Sequence, residues 1–335
     1  MSWKKNLFLM MMFTGTMISI SSSSWINIWI GLEMNLLGFI PLMSMDKFKQ
    51  SSEISMKYFF VQVSASMMVI FSFLNSFLMS NSLDMMTPIS VFMFNCAVLM
   101  KMGAAPFHIW YPDVVEGLSW SNNLLMLTWQ KIAPMILIMY NFKMNLFFCI
   151  IILISMTLGG LKMWNQTSIK KILAFSSINH MGWMMSMMFL NQSMWKIYFV
   201  IYMFTTINLI MVLKKFNINN MNELFMLLNN NKTPKFFFLM NLLSMGGIPP
   251  FLGFFPKWMT LKMMMENEFY LLSFLMIFLT LISLFIYMRM ILQPLMFKMS
   301  EKKNYFKNLN MFYIYFMNWM NILGLIIFSL IFSMY

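Results

Sequence analysis

Glu33, Lys101, Lys131 and Lys257 are the residues whose type and position could do chemistry, because each falls within or beside an apolar run long enough to cross a lipid bilayer. A charge at mid-bilayer costs about 2.5–3.5 kcal/mol on insertion scales, so four of them imply an interior where charges are paired or hydrated. The chemistry open to such a set is proton exchange. A buried lysine amine can hold or release a proton where an arginine stays charged, and Glu33 beside Lys101 would make an adjustable pair. The plainer reading of each residue is a staple tying two helices together. Arg289, the single arginine, sits near the end of its apolar run, where its side chain can snorkel to the interface.

The two histidines carry weaker signals. His180, in SSINHMGW, stands among Ser176, Ser177 and Asn179, a polar patch able to order water, so a relay role and a packing role both stay open. His108 follows a Gly/Pro break and reads as structural. Nothing argues that the two face each other as haem ligands. Cys96 and Cys149 are too few for a four-thiolate cluster or a cysteine-rich zinc site, and they read as small buried hydrophobes. No Walker A sequence or G-x-G-x-x-G is present, so nucleotide binding has no support.

The elements that must position these residues are transmembrane helices. Of 335 residues, 60% are hydrophobic and 10% charged, against about 25% charged in a soluble domain. Apolar runs near the required ~20 residues fall at 7–22, 25–45, 54–79, 88–111, 122–140, 146–161, 172–190, 197–213, 236–265, 269–297 and 312–334. The expected fold is an all-α integral membrane protein of about eleven helices. Lys4-Lys5, an apolar stretch and then Ser21 to Ser24 imitate a signal peptide, but small-residue cleavage positions are missing, so this segment reads as the first helix.

Alternating the eleven spans puts sixteen lysines, among them Lys4, Lys5, Lys47, Lys170, Lys171 and Lys302, on the side of the N-terminus, and only Lys143, Lys196 and Lys262 opposite. That bias predicts an N-terminus in cytoplasm or matrix. It also accounts for the net charge of +13 without nucleic acid, whose readers cluster basic residues on one wet face.

KMGAAPFHIW, starting at Lys101, and SMGGIPPFLGFFPKW, ending at Trp258, are Gly/Pro-interrupted apolar segments in the fourth and ninth spans. Met102-Gly103 pairs with Met245-Gly246, and Pro106-Phe107 with Pro249 and then Pro250-Phe251. Matching interruptions point to a transporter built from repeats. Here these would be two inverted five-helix repeats, about 6–141 and 146–298, plus a C-terminal helix at about 312–334. Residues 113–120 read as an interfacial turn or short amphipathic helix, whose acids either gather protons at an entrance or, the plainer and preferred reading, solvate a loop.

WIGLEMNLLGFIPL, LMKMGAAPFHIWYPDVVEGLSW, LTWQKIAP, NQTSIKKILAFSSINHMGW and LLSMGGIPPFLGFFPKW, in this order, closely resemble one family. It is the antiporter-like membrane subunits of mitochondrial NADH:ubiquinone oxidoreductase, respiratory complex I, and within it the animal, insect-like chain 2 group. The 48 Met and 37 Phe against one Arg look like an AT-rich animal mitochondrial coding sequence. The resemblance implies a shortened, eleven-helix form of a fourteen-helix fold and a proton-translocating role in the inner mitochondrial membrane. The N-terminus would lie in the matrix and the C-terminus in the intermembrane space.

By carry-over, Glu33 and Lys101 are the interacting pair of one half-channel, Lys131 the central relay, Lys257 the key residue of the second half and His180 an axis residue. The chain would bind no cofactor or metal, with NADH, FMN, iron–sulfur clusters and ubiquinone belonging to partner subunits. Its partners would be other membrane-arm subunits and the bilayer, with cardiolipin a candidate lipid. Two alternatives are an autonomous cation/proton antiporter, which shares such lysines, and an architectural subunit whose charges are staples.

Overall fold

A computed structural model describes residues 2–45, 51–79, 88–140, 146–230, 232–296, 318–321 and 324. Lipid offers no hydrogen bonds to the backbone, so a spanning chain must satisfy its own amides within helices. The described residues accordingly form α-helices, one 3₁₀ turn and a single isolated β-bridge between Ser168 and Asn220. They divide into two compact units, Met1–Lys143 and Met144–Tyr335.

The first unit runs α1 (Ser2–Ser21), α2 (Trp25–Ser44), α3 (Ser51–Met79), α4 (Pro88–Met102), α5 (Trp110–Gly117), α6 (Trp120–Leu127), a 3₁₀ turn (Trp129–Lys131) and α7 (Ile132–Tyr140). Its tightest seam joins α1 to α2 through small residues. A Cβ on Gly31 would stand 2.5 Å from the Ser19 nitrogen, and one on Gly15 2.6 Å from the Asn35 nitrogen, so the two backbones touch where only glycine fits. Tyr140 donates to the Ile20 carbonyl at 2.6 Å, and Asn122 donates to the Leu42 carbonyl, one of the orphans at the end of α2, at 2.9 Å. α5 is amphipathic, burying Tyr111, Val114 and Val115 and exposing Asp113 and Glu116.

The second unit runs α8 (Leu146–Met163), α9 (Ile169–Leu190), α10 (Gln192–Phe216), α11 (Met221–Asn230), α12 (Lys232–Gly246), α13 (Phe254–Glu266) and α14 (Tyr270–Met296), with a helical turn at 318–321. α9 is its axis: every residue from Ile169 to Met188 except Lys171 is buried. A helix wrapped by protein can carry the serines, Asn179 and His180 that a lipid-facing helix cannot. α14 shows the opposite pattern, with Leu271, Phe274, Phe278, Leu281 and Phe285 forming an exposed apolar stripe suited to acyl chains.

Among the described residues, five helices are long and apolar enough to cross a membrane: Trp25–Ser44, Ser51–Leu78, Leu146–Met163, Gln192–Phe216 and Tyr270–Gln293. The expected C-terminal helix at 312–334 lies outside the described residues except for 318–321 and 324. The spans expected at 88–111 and 236–265 are interrupted, α4 ending at Met102 and α12 at Gly246. The span expected as continuous over 122–140 is interrupted too, after Leu127. Pro134 supplies the reason, since its ring collides with the carbonyl four residues back, at Gln130, and offers it no donor. Cys96 is buried as expected, whereas Cys149 is only half-buried.

The α1–α2 seam yields a direct test. Gly31→Val should destabilise the full chain in detergent by about 1–3 kcal/mol or more, lowering its thermal unfolding midpoint. Leu37→Val, on the exposed side of α2, should leave that midpoint unchanged.

Candidate functional site: lysines at helix breaks

The two Gly/Pro breaks end in the same hydrogen-bonded cap. At α4, Gly103 has φ +71°, its N–H donates to Met100 O at 3.1 Å, and the Ala104 N–H donates to Leu99 O at 3.1 Å. At α12, Gly247 has φ +80°, its N–H donates to Ser244 O at 3.0 Å, and the Ile248 N–H donates to Leu243 O at 3.3 Å. This is the Schellman arrangement, which places glycine in the left-handed region because a Cβ would clash there. It corrects the expected register by one residue: Gly103 matches Gly247, so Pro106-Phe107 falls on Pro250-Phe251. A cis peptide precedes Pro106.

A Schellman cap satisfies two of the end carbonyls and leaves the last two open. At α12 these belong to Met245 and Gly246, and Lys257 Nζ donates to both, at 3.3 and 2.8 Å. Lys257 stands in the first turn of α13, where the helix dipole disfavours a cation, but its ammonium reaches the favourable C-terminal end of α12. Its side chain crosses directly over Gly247, whose Cβ would lie 2.8 Å from Lys257 Cδ. At α4 the corresponding carbonyl of Lys101 accepts from Gln62 Nε2 at 3.2 Å. Lys101 itself is buried in the last turn of α4.

Glu33 lies on α2, whose Phe39 ring meets the buried Tyr58 of α3 with centroids 5.4 Å apart. Among the described residues, Glu33 and Lys101 form no direct ion pair, and Oε1 of Glu33 is buried without a hydrogen-bond partner. Asn123 nearby in sequence to the third break is fully buried, and neither its amide oxygen nor its nitrogen has a partner among the described residues.

Lys131 closes the 3₁₀ turn made by the Pro134 break and is 1% exposed. Its Nζ sits 5.6 Å from the centroid of the Tyr111 ring, a cation–π contact. The same ring packs against Gly103, where an added Cβ would come within 2.8 Å of Tyr111 Cβ. One aromatic side chain therefore touches both the α4 break and Lys131. The turn is pinned from the other side by a reciprocal amide pair: Asn35 Nδ2 to Gln130 Oε1 at 2.9 Å and Gln130 Nε2 to Asn35 Oδ1 at 3.0 Å. Asn35 is two residues from Glu33 on α2, so the pair ties the carboxylate's helix to the lysine's turn.

In the second unit, His180 Nδ1 meets the Tyr198 hydroxyl at 3.2 Å, and its ring lies 5.3 Å from that of Tyr202. Asn179 donates to Ser283 Oγ at 3.0 Å. Tyr287 hydrogen-bonds Ser176 and packs its ring 3.6 Å from where a Cβ on Gly246 would stand. His180 thus has the Tyr198 hydroxyl as a partner, and Tyr287 presents a ring edge to the end of the helix whose carbonyls hold Lys257. Asn241, Asn318, Asn321 and Ser244 form a second buried network beside the α12 break. His108 Nδ1 stands 3.2 Å from the Pro106 carbonyl, within the α4 break itself.

The structure therefore gathers Glu33, Lys101 and Lys131 in the first unit, and Lys257 and His180 in the second. Asn35, Gln62, Tyr111, Gln130, Tyr198 and Tyr287 escaped the sequence reading. Asn35 and Gln130 carried a signal as lone amides in apolar runs, and Pro134 announced the third break.

The chain belongs to the NADH:quinone oxidoreductase/Mrp antiporter transmembrane family, whose model matches residues 22–283. Within that class it is 42% identical to NADH-ubiquinone oxidoreductase chain 2 of Anopheles gambiae, over 98% of this chain and 97% of that one. It is 43% identical to the Aedes aegypti chain 2 over the same shares. Its fold resembles a chain of respiratory complex I from Thermus thermophilus with a TM-score of 0.84 at 21% identity, covering 96% of this chain and 78% of that one. A chain of the Mrp complex from Dietzia gives 0.73 at 14% identity, over 84% and 59%.

The amide pair makes a double-mutant prediction. Asn35→Leu alone should cost about 1–3 kcal/mol by stranding a buried amide on Gln130. Asn35→Leu with Gln130→Leu should cost less than the sum of the singles, read as unfolding midpoints of the four proteins in one detergent. Strict additivity would show that the two side chains do not interact.

Proposed function

We propose that this chain is a chain 2 type, proton-translocating membrane subunit of respiratory complex I, seated in the inner mitochondrial membrane with its N-terminus in the matrix. The observation that carries the reading is the burial of Lys101, Lys131 and Lys257, each at or beside an interrupted helix. A chain that needed only staples would not also need three interrupted helices. The similarity to chain 2 proteins over nearly the full length of both chains supplies the assembly.

In this reading Glu33 and Lys101 form the charge-coupled pair of one half-channel, and Lys131 is the central relay. Lys257, with His180 on the axis helix, serves the second half. The matching glycine caps support two inverted repeats of five helices, and the lysine bias supports eleven spans with the C-terminus toward the intermembrane space. NADH, FMN, iron–sulfur clusters and ubiquinone belong to partner subunits, where the redox chemistry occurs. A charge change arriving from a neighbouring subunit alters the balance at Glu33 and Lys101. Lys131 and Lys257 then take up and release protons in turn. Orphaned polar atoms of Glu33 and Asn123 give ordered water somewhere to bind between the charged groups.

The autonomous antiporter remains the second reading, favoured by the fold shared with the Mrp complex chain. Native gels of the source membranes separate the two. Co-migration with an NADH-oxidising complex is expected, and a chain running apart from that activity would favour the antiporter. In the assembled complex, Lys257→Gln should lower protons pumped per NADH while leaving assembly intact. An unchanged ratio would make Lys257 a staple for the α12 carbonyls.

A further inference from the structure

Arg289 takes no part in the arrangement above. It lies on α14 with its guanidinium beside Trp164, the first residue after the end of the membrane-crossing helix α8 (Leu146–Met163). This is headgroup depth, on the side that the lysine bias marks as positive. Trp164 packs against Phe285 in a tilted contact, ring centroids 5.1 Å apart and planes at 31°, and tryptophan is enriched at membrane interfaces.

A cavity of about 480 Å³ opens here. Arg289 and Gln293 line it from α14, Trp164 and Gln166 from the loop after α8, and Asn222 and Phe225 from α11. Its floor is preformed. The Ser168–Asn220 bridge locks the two loops together, with Ile169 N–H donating to Asn219 O at 2.9 Å and Met221 N–H to Thr167 O at 3.1 Å. The guanidinium spends one donor on the Trp164 carbonyl at 3.4 Å, and no carboxylate pairs with it among the described residues. The acid on α11 is otherwise engaged: Glu223 Oε2 accepts from the Asn219 and Asn220 N–H groups at 2.8 and 3.3 Å.

We propose that this cavity binds the headgroup of an anionic phospholipid. The phosphate takes the free edge of the Arg289 guanidinium, which matches its geometry with paired N–H donors. Asn222 and Gln293 offer amides to the glycerol and ester oxygens, joined by the second N–H of Gln166, whose first goes to the Lys162 carbonyl at 3.2 Å, and Trp164 and Phe225 line the passage of the acyl chain toward the bilayer. The size lies within the ~300–1,000 Å³ of small-ligand sites. A fixed cation, amide donors and an apolar wall at one depth match an amphiphile with a negative head better than a free ion, which has no use for the wall.

The test uses the full chain in its native complex, delipidated and returned to phosphatidylcholine vesicles containing a trace of photoactivatable phosphatidylglycerol. Crosslinks should fall on peptides holding Trp164, Phe225 or Arg289, and unlabelled phosphatidylglycerol should compete them away while phosphatidylcholine does not. Arg289→Gln should reduce the labelling by about tenfold or more, and Arg289→Lys should retain part of it. Folding of both variants is checked by their unfolding midpoints. Equal competition by phosphatidylcholine, loss of the label to inorganic phosphate alone, crosslinking of a neighbouring subunit across the cavity, or undiminished labelling of Arg289→Gln would each overturn the proposal.

Discussion

A helix that stops inside a membrane leaves carbonyl groups that lipid cannot satisfy, and the rest of this structure depends on how those groups are met. The glycine caps at Gly103 and Gly247 take two carbonyls each through the backbone. The remaining ones need side-chain donors brought from elsewhere: Gln62 for α4, and the ammonium of Lys257 for α12. The second solution has a functional consequence. A lysine that caps a helix end holds a proton at a position fixed by backbone geometry, and giving up that proton weakens the cap. Backbone order and protonation state are thereby linked in the two hydrogen bonds from Lys257 to Met245 and Gly246.

The first unit solves a related problem with different parts. Pro134 breaks the helix that would have carried Lys131 on a regular face, and the resulting turn aims the lysine at the Tyr111 ring. Tyr111 also fills the space that the missing side chain of Gly103 leaves. The α4 break, just after Lys101, and the aromatic face that holds Lys131 therefore meet on one ring. The Asn35–Gln130 pair supplies a second mechanical link between the carboxylate's helix and the same turn.

Much of this was legible in the residues, but unevenly. Intramembrane charges are so costly that Glu33, Lys101, Lys131 and Lys257 stood out from their positions within or beside apolar runs. Pro106 and Pro249-Pro250 announced two breaks because proline acts on the residues beside it. The third break was equally local, yet Pro134 sat within an otherwise smooth apolar run and the hydropathy overrode it. The register of the two caps was misread by one residue because Gly246 and Gly247 are identical in sequence and only the backbone distinguishes the one with positive φ. The partnerships of Asn35 with Gln130 and of His180 with Tyr198 were not legible at all, since such pairs are set by how helices pack. The α1–α2 contact through Gly15 and Gly31 was hidden for the same reason.

The central claim is that the buried lysines exchange protons and do more than hold helices together. The most direct measurement is the proton-to-electron ratio of the assembled, reconstituted complex carrying Lys131→Arg. Arginine preserves the positive charge and the contact with Tyr111 but does not release its proton. The account predicts that assembly persists and the ratio falls. A ratio equal to that of the unaltered complex would show that Lys131 serves by its charge alone and would contradict the relay.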